Sequence, residues 1–187
     1  KKFANISLSH IFNNCFKKSI WINKMKLIEC VPNFSEGVDE SIIKEITHEI
    51  SSVNNVTLLD VDPGKDTNRT VVTFIGTPDK VISAAFLAIK KAAILIDMTK
   101  HKGEHPRMGA TDVCPLIPIT GVSMDECVKY SHQLAKKVAD ELNISVFLYE
   151  ESASNAKRKN LSNIRKGEYE GMQEKLQTKD WTPDYGP

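Results

Sequence analysis

The feature that most restricts how this chain can fold is a change in apolar spacing that recurs along residues 25–149. Lys26–Pro32 is a short apolar run closed by Pro-Asn, as a strand would be, and Asp39–Ser51 then sets Ile42, Ile43, Ile46 and Ile50 at helical intervals. Val56–Val61 and Thr70–Ile75 are rich in β-branched and aromatic residues and end in Asp-Pro-Gly and in Gly76, which predicts two strands joined by a polar loop. Thr77-Pro-Asp supplies a cap and a first-turn proline for a helix that carries Val81, Ala85, Phe86, Ile89 and Ala92 toward Ile96. The apolar run Val113–Ile119 follows a polar stretch. Ser123-Met-Asp-Glu126 is a capping box that opens a helix to Leu142, and Ser145–Tyr149 reads as another buried strand.

That order predicts the α+β class, as an open mixed β-sheet with helices packed on one face and related to the ferredoxin-like sandwiches. With 187 residues, 41% of them hydrophobic and 26% charged, the chain is long enough for one sizeable core, so a single domain is expected. Residues 25–180 make that unit. Residues 1–24 read as a leader or non-native extension, with Met25 as a possible true start, and an organelle-targeting peptide is the alternative. The charged tail from Ser152 is expected to hold one helix around Ile164–Leu176, and residues 181–187 read as the start of a linker to a further subdomain.

Charge narrows the partners. The net charge of +1 hides five lysines and no acid in residues 1–24, which leaves 20 basic against 24 acidic residues in the remainder. A mildly acidic body lacks the concentrated basic face that nucleic acid requires, so a small ligand is expected. The sequence has no apolar run of the twenty or so residues that cross a bilayer. Cys15, Cys30, Cys114 and Cys127 have no CxxC spacing and read as reduced, buried thiols of a cytoplasmic protein without disulfides. Only Ser35-Glu-Gly37 follows the first strand, so neither a dinucleotide fingerprint nor a phosphate-binding P-loop is expected.

Chemistry concentrates in His101-Lys-Gly-Glu-His-Pro-Arg-Met-Gly-Ala-Thr111, which crowds two imidazoles, two cations and a carboxylate between predicted regular elements. Pro106 restrains the backbone of His105, so a fixed imidazole able to exchange protons near neutral pH is one reading and a loop histidine bonded to backbone is the other. His101 and His105 have H-x3-H spacing, but Gly103 and Pro106 break any helix between them and no third ligand follows, so no metal site is expected. Lys102, Arg107 and Arg69 can form a cationic rim for carboxylates. Asp62, before Pro63-Gly64, can orient His105, hold a cationic amidine or simply close a turn. Asn33, Ser35 and Glu36 can meet a ligand or cap the following helix.

The runs Cys30–Gly37, Leu58–Asp62, Thr67–Thr70, His101–Gly109 and Gly121–Cys127, in this order, closely resemble the N-terminal subdomain of the formiminotransferase family, over roughly residues 25–187. The resemblance implies transfer of a formimino group from N-formimino-L-glutamate to tetrahydrofolate, without a metal, often beside a cyclodeaminase. It implies His105 as catalytic acid/base with Asp62 and Arg69 near the active site; Lys102, Arg107, Asn33 and Glu36 are expected to contact substrate from their residue types and positions alone. A homodimer and a second subdomain that completes the folate groove are further implications. The rival expectation is a non-catalytic module that binds a ligand or partner through its sheet.

Overall fold

In the computed structural model the described residues are 25–187, and the expected leader, with Cys15 and His10, lies outside them. Six strands form one sheet: β1 (Leu27–Cys30), β2 (Asn33–Phe34), β3 (Val56–Gly64), β4 (Arg69–Gly76), β5 (Thr111–Val113) and β6 (Leu116–Thr120). The main helices are α1 (Glu40–Ser51), α2 (Pro78–Leu95) and α3 (Met124–Leu142), followed by the short α4 (Leu161–Arg165) and α5 (Met172–Leu176).

The sheet runs β3, β4, β1, β6 across its main width. Strand β2 continues the line of β1, because Cys30 opposite Phe74 and Asn33 opposite Val71 keep one register on β4. Strand β5 continues β6 in the same way, with Leu116 opposite Cys30 and Val113 opposite Asn33. Pro32 and Pro115 lie at the two interruptions, where a missing N–H removes a rung of the ladder.

The α+β class and the one-sided helical layer are as the sequence reading expects, but the sheet is not mixed. Every pairing among the described strands is antiparallel. The reason is topological: each helical crossover returns the chain parallel to the strand it left, yet a strand of the other crossover unit always lies between the two. Thus β4 separates β1 from β3, and β1 separates β4 from β6.

Burial alternates along the strands as the pleat dictates. Ile28 and Cys30 of β1, with Thr70, Val72, Phe74 and Gly76 of β4, face the helices and are buried. Against them α1 sets Ile43, Ile46 and Ile50, and α2 sets Val81, Ala84, Ala85, Ala88, Ile89 and Ala92. Four alanines in that stripe let α2 lie close to the sheet between α1 and α3. Asp39 caps α1 by accepting from the amides of Ser41 and Ile42, and Ser123 with Glu126 forms the expected capping box. The opposite face of the sheet carries no helix of the main layer, and Leu59, Ile117 and Ile119 are exposed there.

Two expectations for the C-terminal part differ from the structure. Ser145–Tyr149 is not a strand but makes a single bridge, Val146 to Tyr185, so residues 181–187 lie back along 144–148. The single helix expected around Ile164–Leu176 is two short ones, because Gly167 (φ 90°) and Glu168 (φ 52°) leave helical geometry between them. Cys30 and Cys127 are buried free thiols, and Cys114, half-buried, lies 3.5 Å from the Cys30 sulfur without a disulfide.

Phe74 is fully buried where β4, β1 and the helices meet. Replacing it with alanine removes the largest apolar contact at the centre of the sheet. Phe74→Ala is expected to cost about 3–5 kcal/mol, read as a fall in the urea midpoint with the denaturant slope unchanged.

Candidate active site

The histidine loop gains its shape from the turn of the β3–β4 hairpin. Asn68 adopts φ 44°, a left-handed conformation that asparagine tolerates better than bulkier side chains. Its Oδ1 accepts from the Gly37 amide at 2.9 Å and its Nδ2 donates to the Lys102 carbonyl at 2.9 Å. Its own carbonyl meets His101 Nε2 at 2.9 Å. Gly103 lies so close to the hairpin that a Cβ there would meet the Thr67 carbonyl at 2.4 Å, which explains the glycine. The Glu104 amide donates to the Asp66 carbonyl at 3.2 Å, and the next residue is His105.

His105 sits between two charges. Its Nδ1 is 3.2 Å from an Arg69 guanidinium nitrogen, and its Nε2 is 3.4 Å from Asp112 Oδ2. The Asp112 side chain is 1% exposed and also receives Arg165, while its Oδ1 accepts from the Met108 amide at 3.0 Å. Burial pushes the His105 pKa below the usual histidine value, Arg69 and Arg165 push in the same direction, and Asp112 opposes them. The ring is therefore neutral at pH 7 and can accept a proton. Its side chain keeps 13% exposure, so it is within reach of solvent.

The other expected site residues take different positions. Arg69 and Asp62 share one face of the sheet: Asp62 is opposite Val71 and Arg69 opposite Gly64, which makes the two diagonal neighbours at roughly 7–8 Å. Asn33 is opposite Val71 on its other side, so it lies on that same face, with its amide donating to the Val31 carbonyl at 3.3 Å. Lys102 is exposed beside His101.

Arg107 is not the open cation that the sequence reading expects. It is 6% exposed, and its guanidinium binds Glu168 at 2.6 Å and Glu170 at 2.7 and 2.9 Å. Its Nε also donates to His101 Nδ1 at 3.1 Å, so it braces the loop from behind. A buried guanidinium must be paired, and these two carboxylates are the reason it can be buried. Glu36 likewise spends Oε1 on the amides of Val38 and Asp39, both at 2.8 Å, at the entrance to α1.

Sequence reasoning missed Asp112, Arg165, Glu168 and Glu170. Asp112 had a signal: it is a lone charge between the loop and an apolar run, where burial without a partner is costly. The other three lie in a tail whose polar composition gives no such sign.

Among the described residues no group of three or more histidine, cysteine or acidic side chains is gathered as a metal would need, and no helix is long and apolar enough to cross a membrane. An apolar cavity of about 970 Å³ lies on the helix side, between α2, α3, β5 and the segment 144–152, and Asp112 forms part of its wall. Burial there pushes the Tyr149 phenol well above its ordinary range.

The chain is 56% identical over 162 residues to the formimidoyltransferase-cyclodeaminase of Dictyostelium discoideum, covering 87% of this chain and 30% of that protein. It is 54% identical over 162 residues to the enzyme of the same name from Rattus norvegicus, with the same shares. Against the glutamate formimidoyltransferase of Streptococcus pyogenes serotype M1 it is 50% identical over 161 residues, covering 86% of this chain and 54% of that one. The chain thus spans about a third to a half of the length of these relatives. Residues 27–187 match the family model described as formiminotransferase domain, N-terminal subdomain, and the chain belongs to that family.

Proposed function

We propose that this chain is the proton-handling half of a glutamate formimidoyltransferase, which moves a formimino group from N-formimino-L-glutamate to tetrahydrofolate. The observation that carries the reading is the His105 ring held at the end of the sheet between Arg69 and Asp112. Attack of a folate amine on the formimino carbon requires that amine to lose a proton. Collapse of the tetrahedral adduct requires the departing glutamate nitrogen to gain one. A neutral imidazole takes the first proton and, as imidazolium, returns it to the leaving nitrogen, so one residue serves both steps.

Both substrates carry carboxylates, and Arg69 beside His105, with the exposed Lys102 of the same loop, supplies cations for them. Asp62, exposed on the face it shares with Arg69, offers an anion to the amidinium of the formimino group. Asn33 contributes an amide to that face. Arg107 and Glu36 act as positioning residues, the first behind the loop and the second at the start of α1. The reading includes a homodimer and a cytoplasmic location; the free thiols of Cys30, Cys114 and Cys127 support a reducing compartment.

The test uses the chain extended to the full length of a glutamate formimidoyltransferase. His105→Ala is expected to lower turnover by about 100- to 10,000-fold while circular dichroism and the thermal midpoint stay as in the wild type. Turnover at the wild-type rate would remove His105 from its role.

The depressed pKa of the ring sets the acid limb of the pH profile. A base that titrates below 6.5 keeps kcat/KM high into mildly acid solution. Arg69→Met removes a cation that holds this pKa down, so the acid limb is expected to move to higher pH, separately from any loss in the height of the profile. A limb that stays in place would show that Arg69 does not act on the ring.

A further inference from the structure

Both ring nitrogens of His105 face charged groups, and together they allow only one arrangement of the ring proton. An arginine has donors and no acceptor, and it does not lose its proton in proteins. Nδ1, 3.2 Å from Arg69, must therefore present its lone pair, and in the neutral ring the hydrogen is on Nε2. Nε2 is buried, has no partner at good hydrogen-bond geometry, and points at Asp112 Oδ2 from 3.4 Å.

We infer that Asp112 is the positioning residue of this site: it holds the Nε2 side of His105 inward and leaves Nδ1 as the nitrogen that exchanges protons with the reactants. The inference rests on the proton-transfer role proposed for His105 and deepens it. Arg69 lies over Nδ1, and a substrate carboxylate that draws the guanidinium toward itself would uncover the lone pair. The proton then moves from the attacking amine to Nδ1 and from Nδ1 to the leaving nitrogen, and the Nε2 hydrogen stays with Asp112 throughout.

Asp112 itself is fixed from two sides. Its Oδ1 accepts from the Met108 amide in the loop, and its Oδ2 receives Arg165, which comes from α4 some 53 residues further along the chain. Arg165 compensates a carboxylate that would otherwise be buried unpaired beside the ring. The charged groups that face His105 are thus Arg69 from β4, Asp112 from β5 and Arg165 from α4. Arg107, on the loop itself, is turned away to Glu168 and Glu170.

Asp112→Asn and Arg165→Met, each in the full-length enzyme, test the assignment. A positioning role predicts a fall in kcat of about 100-fold for Asp112→Asn, with KM little changed, since a small misplacement of the reacting group is enough for such a loss. The same assignment predicts two opposite titration shifts in the ring, read by nitrogen NMR of His105. Asp112→Asn lowers its pKa and disturbs the Nε2–H tautomer, whereas Arg165→Met raises it. Charge alone produces those two shifts; loss of the Nε2–H tautomer in Asp112→Asn, together with a fall in kcat at unchanged KM, is what a merely structural role would not produce. If His105→Ala abolishes turnover while both variants keep the wild-type tautomer and pKa, the inference about Asp112 falls and the role of His105 survives. If His105→Ala turns over normally, that role falls and takes the inference with it. Should Asp112→Asn fail to fold, Arg165→Met decides alone: an unmoved ring pKa overturns the inference.

Discussion

Asn68 is the residue on which the arrangement of the site depends. A single left-handed residue in the turn of the β3–β4 hairpin reaches the Gly37 amide, the Lys102 carbonyl and the His101 ring. These belong to two stretches that are distant in sequence: the exit of β2 and the start of the histidine loop. Each bond is individually worth only about 0.5–1.5 kcal/mol, but together they hold a glycine-containing loop against a hairpin whose register is fixed by the core. Because Arg69 is the next residue after Asn68 and begins β4, the same turn that docks the loop also delivers the guanidinium to Nδ1 of His105.

Charge in the site is balanced from behind by one short stretch of the C-terminal segment. Arg165 reaches Asp112, and Glu168 and Glu170 reach Arg107. The two buried charges of the loop region would each be costly alone, and both are compensated from residues 165–170. The turn that supplies them departs from helical geometry at Gly167 and Glu168. What looks like a polar tail is therefore a buttress, and it packs against the core through the half-buried Tyr169.

Much of the fold was legible because it rests on local periodicity. The isoleucines of α1, the Thr77-Pro78 start of α2 and the Ser123–Glu126 box each announce their element through spacing or capping chemistry that does not depend on neighbours. Antiparallel pairing was not legible, since which strand lies between two others is decided by tertiary packing and leaves no mark in alternation. Of the site, His105 and Arg69 could be read from residue type and position, and they meet. Arg107 was misread as an open cation because its two carboxylate partners lie more than sixty residues away. Asp112 escaped because its two side-chain partners, His105 and Arg165, meet it only once the loop and α4 have folded against each other.

The prolines of the sheet's outer strands have a bearing on how this protein meets others. Pro63 lies in β3 at one margin, and Pro118 lies in β6 at the other. A proline that sits in a ladder turns its nitrogen outward, so each margin offers gaps where an incoming backbone would look for donors. Lateral growth by strand addition, the route to fibrils and to swapped sheets, is thereby discouraged on both sides. Contact through flat stacking of side chains remains open to this molecule.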